Sequence, residues 1–299
     1  MGLKEMFSTM KKEGIVTAPL EKYLYLQANS SDNDRAVNVN SPSQAGCCNR
    51  SNYYKRMGFE SDGNVDARTQ RIFDNGTHVH LRLQKYLADM GMLVLDEVPL
   101  LNEDYCIQGH TDGFIDIGNG EIAILEIKSI NDSSFQALKG AKEEHKCQGL
   151  VYLYCAECRR MELHAKYGKD IEAFNKSYDD RYKYYEKHYQ HLQGGKKYTR
   201  SAKIENEVTL NLLSDNILFY TDKPVTKVVF LYENKNNQEL KEFVVSLSPE
   251  TSPLLESVLK DYEVLNTCIA NEELPEREGK SKSDNMCRWC NYRNECWVV

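Results

Sequence analysis

Asp112-Gly113-Phe114-Ile115-Asp116-Ile117, followed by Ala123-Ile124-Leu125-Glu126-Ile127-Lys128, is the stretch whose reading decides the fold. Both runs read as strands, and Gly118-Asn119-Gly120 between them makes a tight turn. Side chains alternate along a strand, so Glu126 and Lys128 share one face while Ile127 points to the other. Two carboxylates and a lysine converging at the edge of a sheet can hold a hard divalent cation and activate a water for attack on phosphate. Glu-Ile-Lys alone reads equally well as an exposed strand of alternating charge; Asp112 at this spacing tips the reading toward a site.

Working outward, further strand signals lie at Leu93–Pro99 and Tyr105–Gln108, completing a mostly antiparallel sheet. A helix is expected before it, from about Arg68 to Met90, with Ile72, Phe73, His80, Leu83 and Leu87 as its buried stripe and Gly91 as its stop. His80 follows Gly76 by one turn. A lone histidine on such a face is more often a core residue than a ligand, and His78 sits about 200° round the helix. A second helix is expected over Phe135–Cys155, where Gln148 and Tyr152 are four residues apart and share a face. Val225–Glu233 and Glu239–Leu247 read as another strand pair and Pro253–Ala270 as a helix. Near the start, Glu21–Gln27 is a possible helix in a loosely attached segment, and Ser41-Pro42-Ser43 opens a helix over Gln44–Met57 that Gly58 closes.

The 299 residues, 41% hydrophobic and 28% charged, suit one large soluble domain or a domain with an insertion. No apolar run approaches a membrane span and no secretory signal is visible, so the cytoplasm is the expected compartment. The net charge of −7 does not favour nucleic acid, yet electrostatic footprints are local and a bound cation adds positive field. Lys139, Lys142 and Lys146 form one basic patch and Lys196, Lys197, Arg200 and Lys203 another; either is also an ordinary solvated face. Asp170–Tyr198 interleaves aromatics and bases, which suits single-strand stacking or a solvated helix.

Ten cysteines in a chain of this kind argue for metal ligation or burial rather than a disulfide framework. Cys106, Cys147, Cys155, Cys158 and Cys268 read as small buried hydrophobes. Cys287-x2-Cys290-x5-Cys296 supplies three thiolates, one short of a zinc or a four-iron cluster.

In their order, Gly76-x3-His80, Gly109-x2-Asp112, Glu126-x-Lys128 and Gln148-x3-Tyr152 resemble the PD-(D/E)xK nucleases and, among them, the RecB-type branch, with Gly109 where that family often has proline. The C-terminal cysteines make the chain similar to members carrying an iron–sulfur cluster, such as AddB-type and CRISPR-associated exonucleases. The resemblance covers roughly residues 40–155 and 225–299. It implies an α/β, restriction-endonuclease-like core, a mixed central sheet flanked by helices, over residues 41–299. Residues 1–40 would precede it, 160–222 would be a helical insertion, and 285–299 with Cys48 would form the cluster region.

By the same resemblance, His80, Asp112, Glu126 and the Ile127 carbonyl would bind Mg2+ or Mn2+. Lys128 would orient or deprotonate the attacking water, Gln148 would position the lysine or water, and Tyr152 would bind a phosphate or base. The fourth cluster ligand would come from Cys48-x-Arg50-x2-Tyr53, with adjacent Cys47 left open and packed against the core, and zinc as the alternative to a 4Fe-4S cluster. The implied activity is a DNA exonuclease acting on single-stranded ends in recombination, repair or phage genome processing in a bacterial or archaeal cell. A structure-specific endonuclease and a non-catalytic DNA-binding adaptor are the alternatives. No Gly-x4-Gly-Lys-Ser/Thr loop is present, so ATP-driven unwinding would fall to a helicase partner.

Overall fold

The computed structural model describes residues 15–29, 38–168, 170–189 and 200–298, with the side chains of 182 and 184–209 outside that description. Lys196 and Lys197 of the second basic patch lie outside it, as do the side chains of Arg200 and Lys203 and the interleaved stretch beyond Tyr189. No helix among the described residues is long and apolar enough to cross a membrane.

Five strands form one sheet in the order in which they occur: β1 (Leu93–Asn102), β2 (Ile107–Asp116), β3 (Ile122–Ile130), β4 (Lys227–Asn234) and β5 (Leu240–Ser246). All neighbours are antiparallel except β3 and β4, which run parallel. A parallel pair needs a long crossover, and here it consists of α4 (Asp132–Gln136), α5 (Glu143–Tyr167), α6 (Ile171–Tyr189) and α7 (Arg200–Tyr220). The stretch expected as a helical insertion, 160–222, thus belongs to the return path of the sheet. The result is a mixed α/β architecture, a five-stranded mixed sheet flanked by helices.

Alternation along β3 builds the two faces. Ala123, Leu125 and Ile127 join Leu83, Ile115 and Val229 beneath α3 (Ala67–Asp89). Ile124 joins Phe114, Phe230 and Tyr232 in the larger core with Leu150, Val151 and Leu153 of α5 and Leu255, Val258 and Tyr262 of α8 (Ser252–Ala270). Gly149 lets α5 approach closely: a Cβ there would lie 2.6 Å from Phe230 Cζ and 2.9 Å from Val228 Cγ1.

Several boundaries differ from the sequence reading. The strands expected at Tyr105–Gln108 and Phe114–Ile117 are one strand, β2, that starts at Ile107 and ends at Asp116, because the residues between them pair with β1 through Val98↔Thr111 and Leu100↔Gly109, while Tyr105 and Cys106 belong to the turn before it. The helix expected over Phe135–Cys155 is broken: α4 ends at Gln136 and α5 starts at Glu143, with Gly140 in the gap. Gln44–Met57 is not one helix either. A short 3-10 turn, Pro42–Gln44, is cut off by Gly46 at φ 73°, and α2 runs only over Asn49–Arg56. The first described helix, α1 (Thr17–Ala28), is tied to its neighbours by Glu21–Arg71 at 3.0 Å and by two hydrogen bonds between Asn29 and Val65, while Leu20, Tyr23 and Leu26 stay exposed.

Candidate active site

The sheet forks where the carboxylates stand. Strands β2 and β3 pair only over Gly113↔Leu125 to Asp116↔Ile122, whereas β1–β2 pairing continues to Ile107 and β3–β4 pairing to Ile130. In the fork, side chains take over the ladder. Thr111 Oγ1 donates to Leu125 O at 2.7 Å, and Asp112 Oδ2 accepts from the Ile127 backbone N–H at 2.5 Å. A backbone group without a strand partner needs such a substitute, which locks Thr111 and Asp112 in place.

Around the fork the sequence-predicted residues converge from both flanking helices. From α3, His80 Nδ1 lies 2.9 Å from Asp112 Oδ1, and Gln84, one turn later, donates to Asp112 O at 2.8 Å. From β3, Lys128 Nζ donates to Glu126 Oε2 at 2.8 Å and to Gln148 Oε1 of α5 at 2.9 Å. Gln148 Nε2 donates to the Tyr152 hydroxyl at 3.5 Å, which donates to His110 O at 2.6 Å. His78 is exposed on another side of α3.

Tyr152 corrects one expectation. Its ring is only 3% exposed and its hydroxyl is committed to a backbone carbonyl, so it props Gln148 rather than facing a phosphate or base. Burial also pushes the phenol well above its ordinary range, which keeps it a donor. Sequence reasoning missed Gln84 and Thr111. Gln84 carried a signal, four residues after His80 on one helix face; Thr111 carried none, because only the fork gives it a task.

Burial controls the electrostatics. Glu126 is 2% exposed, and desolvation lifts its carboxyl to about 7 against the pull of Lys128. For His80 burial is the largest influence and lowers it, but the hydrogen bond and charge of Asp112 together outweigh it and leave the imidazole raised. Glu126 Oε1 is buried with no hydrogen-bond partner. A buried carboxylate oxygen left bare is costly, and a cation satisfies it. Oxygen donors with one imidazole suit a hard divalent ion. Among the described residues, though, no three histidine, cysteine or acidic side chains already stand at the spacing of one bound ion.

A second constellation lies at the other end of the chain. Cys48, Cys287, Cys290 and Cys296 line one cavity of about 320 Å3, together with Cys47, Tyr54, Gly279, Arg293 and Trp297. The walls come from the turn before α2, from α9 (Asn285–Arg288) and from α10 (Arg293–Cys296). Tyr53 and Tyr54 pack with Leu265 and Cys296 behind it. Gly279 presses on the cavity, since a Cβ there would collide with Cys287 Sγ. Among the described residues Arg293 Nε is buried without a hydrogen-bond partner, and the Trp297 indole N–H points at the Cys287 thiol. These N–H groups and four thiols fit an anionic, sulfur-rich occupant.

Cys47 and Cys48 differ. Burial raises both thiols and Glu278 adds to both, but Cys290 acts on Cys48 alone and Glu144 on Cys47 alone. Cys47 is exposed rather than packed into the core, because Gly46 turns the chain outward before α2 begins. Of the cysteines read as buried, Cys147 and Cys155 are buried and Cys158 and Cys268 are partly so. Cys106 is exposed, at φ 52° in the turn between β1 and β2.

No protein-family model matches the chain, and no curated protein is similar to it. Similar solved structures include SSO0001, at 14% identity over 95% of this chain and 97% of that one, with a TM-score of 0.46. Another is an alkaline exonuclease (LHK-Exo) from Laribacter hongkongensis, at 8% identity over 84% of this chain and 95% of that one, with a TM-score of 0.43.

Proposed function

We propose that this chain is a metal-dependent nuclease that hydrolyses DNA phosphodiester bonds, acting from single-stranded ends, with an iron–sulfur cluster at its cysteines. The observation that carries the reading is the sheet fork, which holds Asp112, Glu126 and Lys128 together with His80 and Gln148 and leaves one buried Glu126 oxygen unpaired.

Asp112, Glu126, His80 and the Ile127 carbonyl would hold Mg2+ or Mn2+, which supplies Lewis-acid polarisation of the phosphate and acidification of a water. With the ion held by these residues, Asp112 would no longer need its bond to His80, and Glu126 would be shared between the ion and Lys128. Lys128 also keeps its bond to Gln148, which points its ammonium at the place where phosphate charge develops. Tyr152 keeps Gln148 from rotating away by tying the helix to the His110 carbonyl.

At the cysteines, single-ion zinc ligation would need the thiolates roughly 4 Å apart, from a Zn–S bond of about 2.3 Å. The cavity of about 320 Å3 between the cysteines has room for a cluster of several atoms, which supports the iron–sulfur reading. Such a cluster would join α2 to the C-terminal tail and so be structural first.

The test is degradation of an end-labelled single strand with Mg2+ or Mn2+, beside a circular single strand of the same sequence. Loss of label from the linear strand alone supports an exonuclease. Cleavage of both forms makes the chain an endonuclease, and cleavage of neither, with intact binding, makes it an adaptor.

A further inference from the structure

Beyond the fork, at the end of the sheet between α3 and the start of α5, β3 continues as Ser129 and Ile130 into a groove of about 440 Å3. Its other walls are Arg68, Ile72 and Asn75 of α3, Asn131 and Ser134 around the start of α4, Lys142 and Lys235. The groove begins where the site ends. Ser129 follows Lys128 directly, and Asn75 stands five residues, about 7.5 Å along the helix, before His80. Both walls therefore run out of the fork, as a track leading away from Asp112 and Glu126.

Charge sets this groove apart from the rest of an acidic chain. Among the described residues three cations line it and no aspartate or glutamate does. Among the described residues Arg68 and Lys235 have no ion pair, and Lys142 has only Glu144 at 3.7 Å. Neighbouring carboxylates are already engaged. Glu233, beside Ser129 across β4, takes both hydrogen bonds from Arg82 at 2.7 Å, and Asp132 accepts from Asn234. Ser129 Oγ is buried without a hydrogen-bond partner. Ile72 and Ile130 add apolar surface among these polar groups.

Resting on the nuclease reading above, we infer that this groove binds the phosphate backbone of the single-stranded chain on one side of the cleaved bond. Arg68, Lys142 and Lys235 would contact phosphate oxygens, and Ile72 and Ile130 would meet the sugar or base faces. Cations at phosphate contacts carry affinity and register without reading sequence, which is what an enzyme that consumes a strand of any sequence needs.

The test is equilibrium binding of fluorescein-labelled dT20 to the full-length protein by anisotropy, without added divalent cation, across a salt series. For a single strand the salt slope is about 0.7 per phosphate contact, so Arg68→Ala/Lys235→Ala should flatten it by about 1.4. Arg68→Lys/Lys235→Arg should restore it, which separates lost charge from lost folding. Lys139→Ala/Lys146→Ala, outside the groove, should leave the slope unchanged. An unaltered slope in the groove variant, equal flattening by the outside pair, or failure of the charge-preserving variant to recover overturns the inference. Where the wild type cleaves, the groove variant should raise KM and spare kcat; a fall in kcat alone overturns the placement beside the cleaved bond. A flattened slope in the groove variant of a protein whose wild type cleaves nothing leaves the groove as a binding track and removes the nuclease reading instead.

Discussion

The carboxylate fork and the cysteine cavity are built by opposite means. The fork stands on two adjacent strands and two long helices, and its side chains are held by hydrogen bonds of 2.5–2.9 Å to backbone and to one another. The cavity stands on two four-residue helices and the turn before a third, with a small cluster of buried residues behind it. Short helices have little stability of their own. The fork can therefore be organised by the fold, whereas the tail around the cysteines is held by scattered side-chain contacts, such as Arg277 to Cys296 O at 2.7 Å and Asp62 to the Asn294 N–H at 2.6 Å, to which a shared ligand would add.

The sharpest way to break that contrast is to remove a cysteine. Cys287→Ser or Cys290→Ser should cost several kcal/mol of the order that ligand binding lends to folding in small metal sites. Iron content should fall, and proteolysis should open both the tail after Pro275 and the α2 segment; a variant that keeps its protease resistance and loses its iron would show that packing alone holds the tail. Next in size, Asp112→Asn and Glu126→Gln should each lower cleavage by at least about 10²-fold, while the chain stays folded because the strands persist. Wild-type turnover by purified Glu126→Gln would remove the fork from the chemistry.

The third prediction uses pH in metal-free protein. Glu126 is raised in the fold to about 7 from 4.5, so between those values the folded chain holds a proton that the unfolded chain has lost. Its contribution to stability is then complete below 4.5 and disappears as pH rises through about 7. Glu126→Gln should abolish that downward slope in denaturant titrations, and an unchanged slope would assign it elsewhere. Gly149→Ala should cost about 1–3 kcal/mol by overpacking against Phe230 and Val228. It should also lower cleavage by pushing Gln148 from Lys128, and both effects are readable by thermal melts and kcat. The smallest effect is expected for His78→Ala, within about 0.5 kcal/mol and with unaltered cleavage, because the side chain is exposed and away from the fork.

Much of the sheet was legible from residues because strands announce themselves by alternation. Ala123 to Lys128 sorts its side chains between two cores as the period of two requires. The breaks at Gly46 and Gly140 were harder, since helical periodicity continues on either side and only the chain's path shows that it turns. Around the fork, the sequence order singled out His80, Asp112, Glu126, Lys128, Gln148 and Tyr152, and all six lie there. It could not reveal that Tyr152 is a buried prop or that Thr111 replaces a ladder hydrogen bond.

What the sequence determined by itself is local: strand and helix type, which residues share a face, and the spacing that makes Glu126 and Lys128 neighbours. Those follow from backbone periods that any six to twelve residues carry. What only the tertiary structure decided is where β2 and β3 part, that β4 returns parallel to β3, and that Arg68, Lys142 and Lys235, 167 positions apart at the extremes, line one groove. Such meetings depend on how separate elements pack, and no local pattern encodes a contact between residues so distant in the chain.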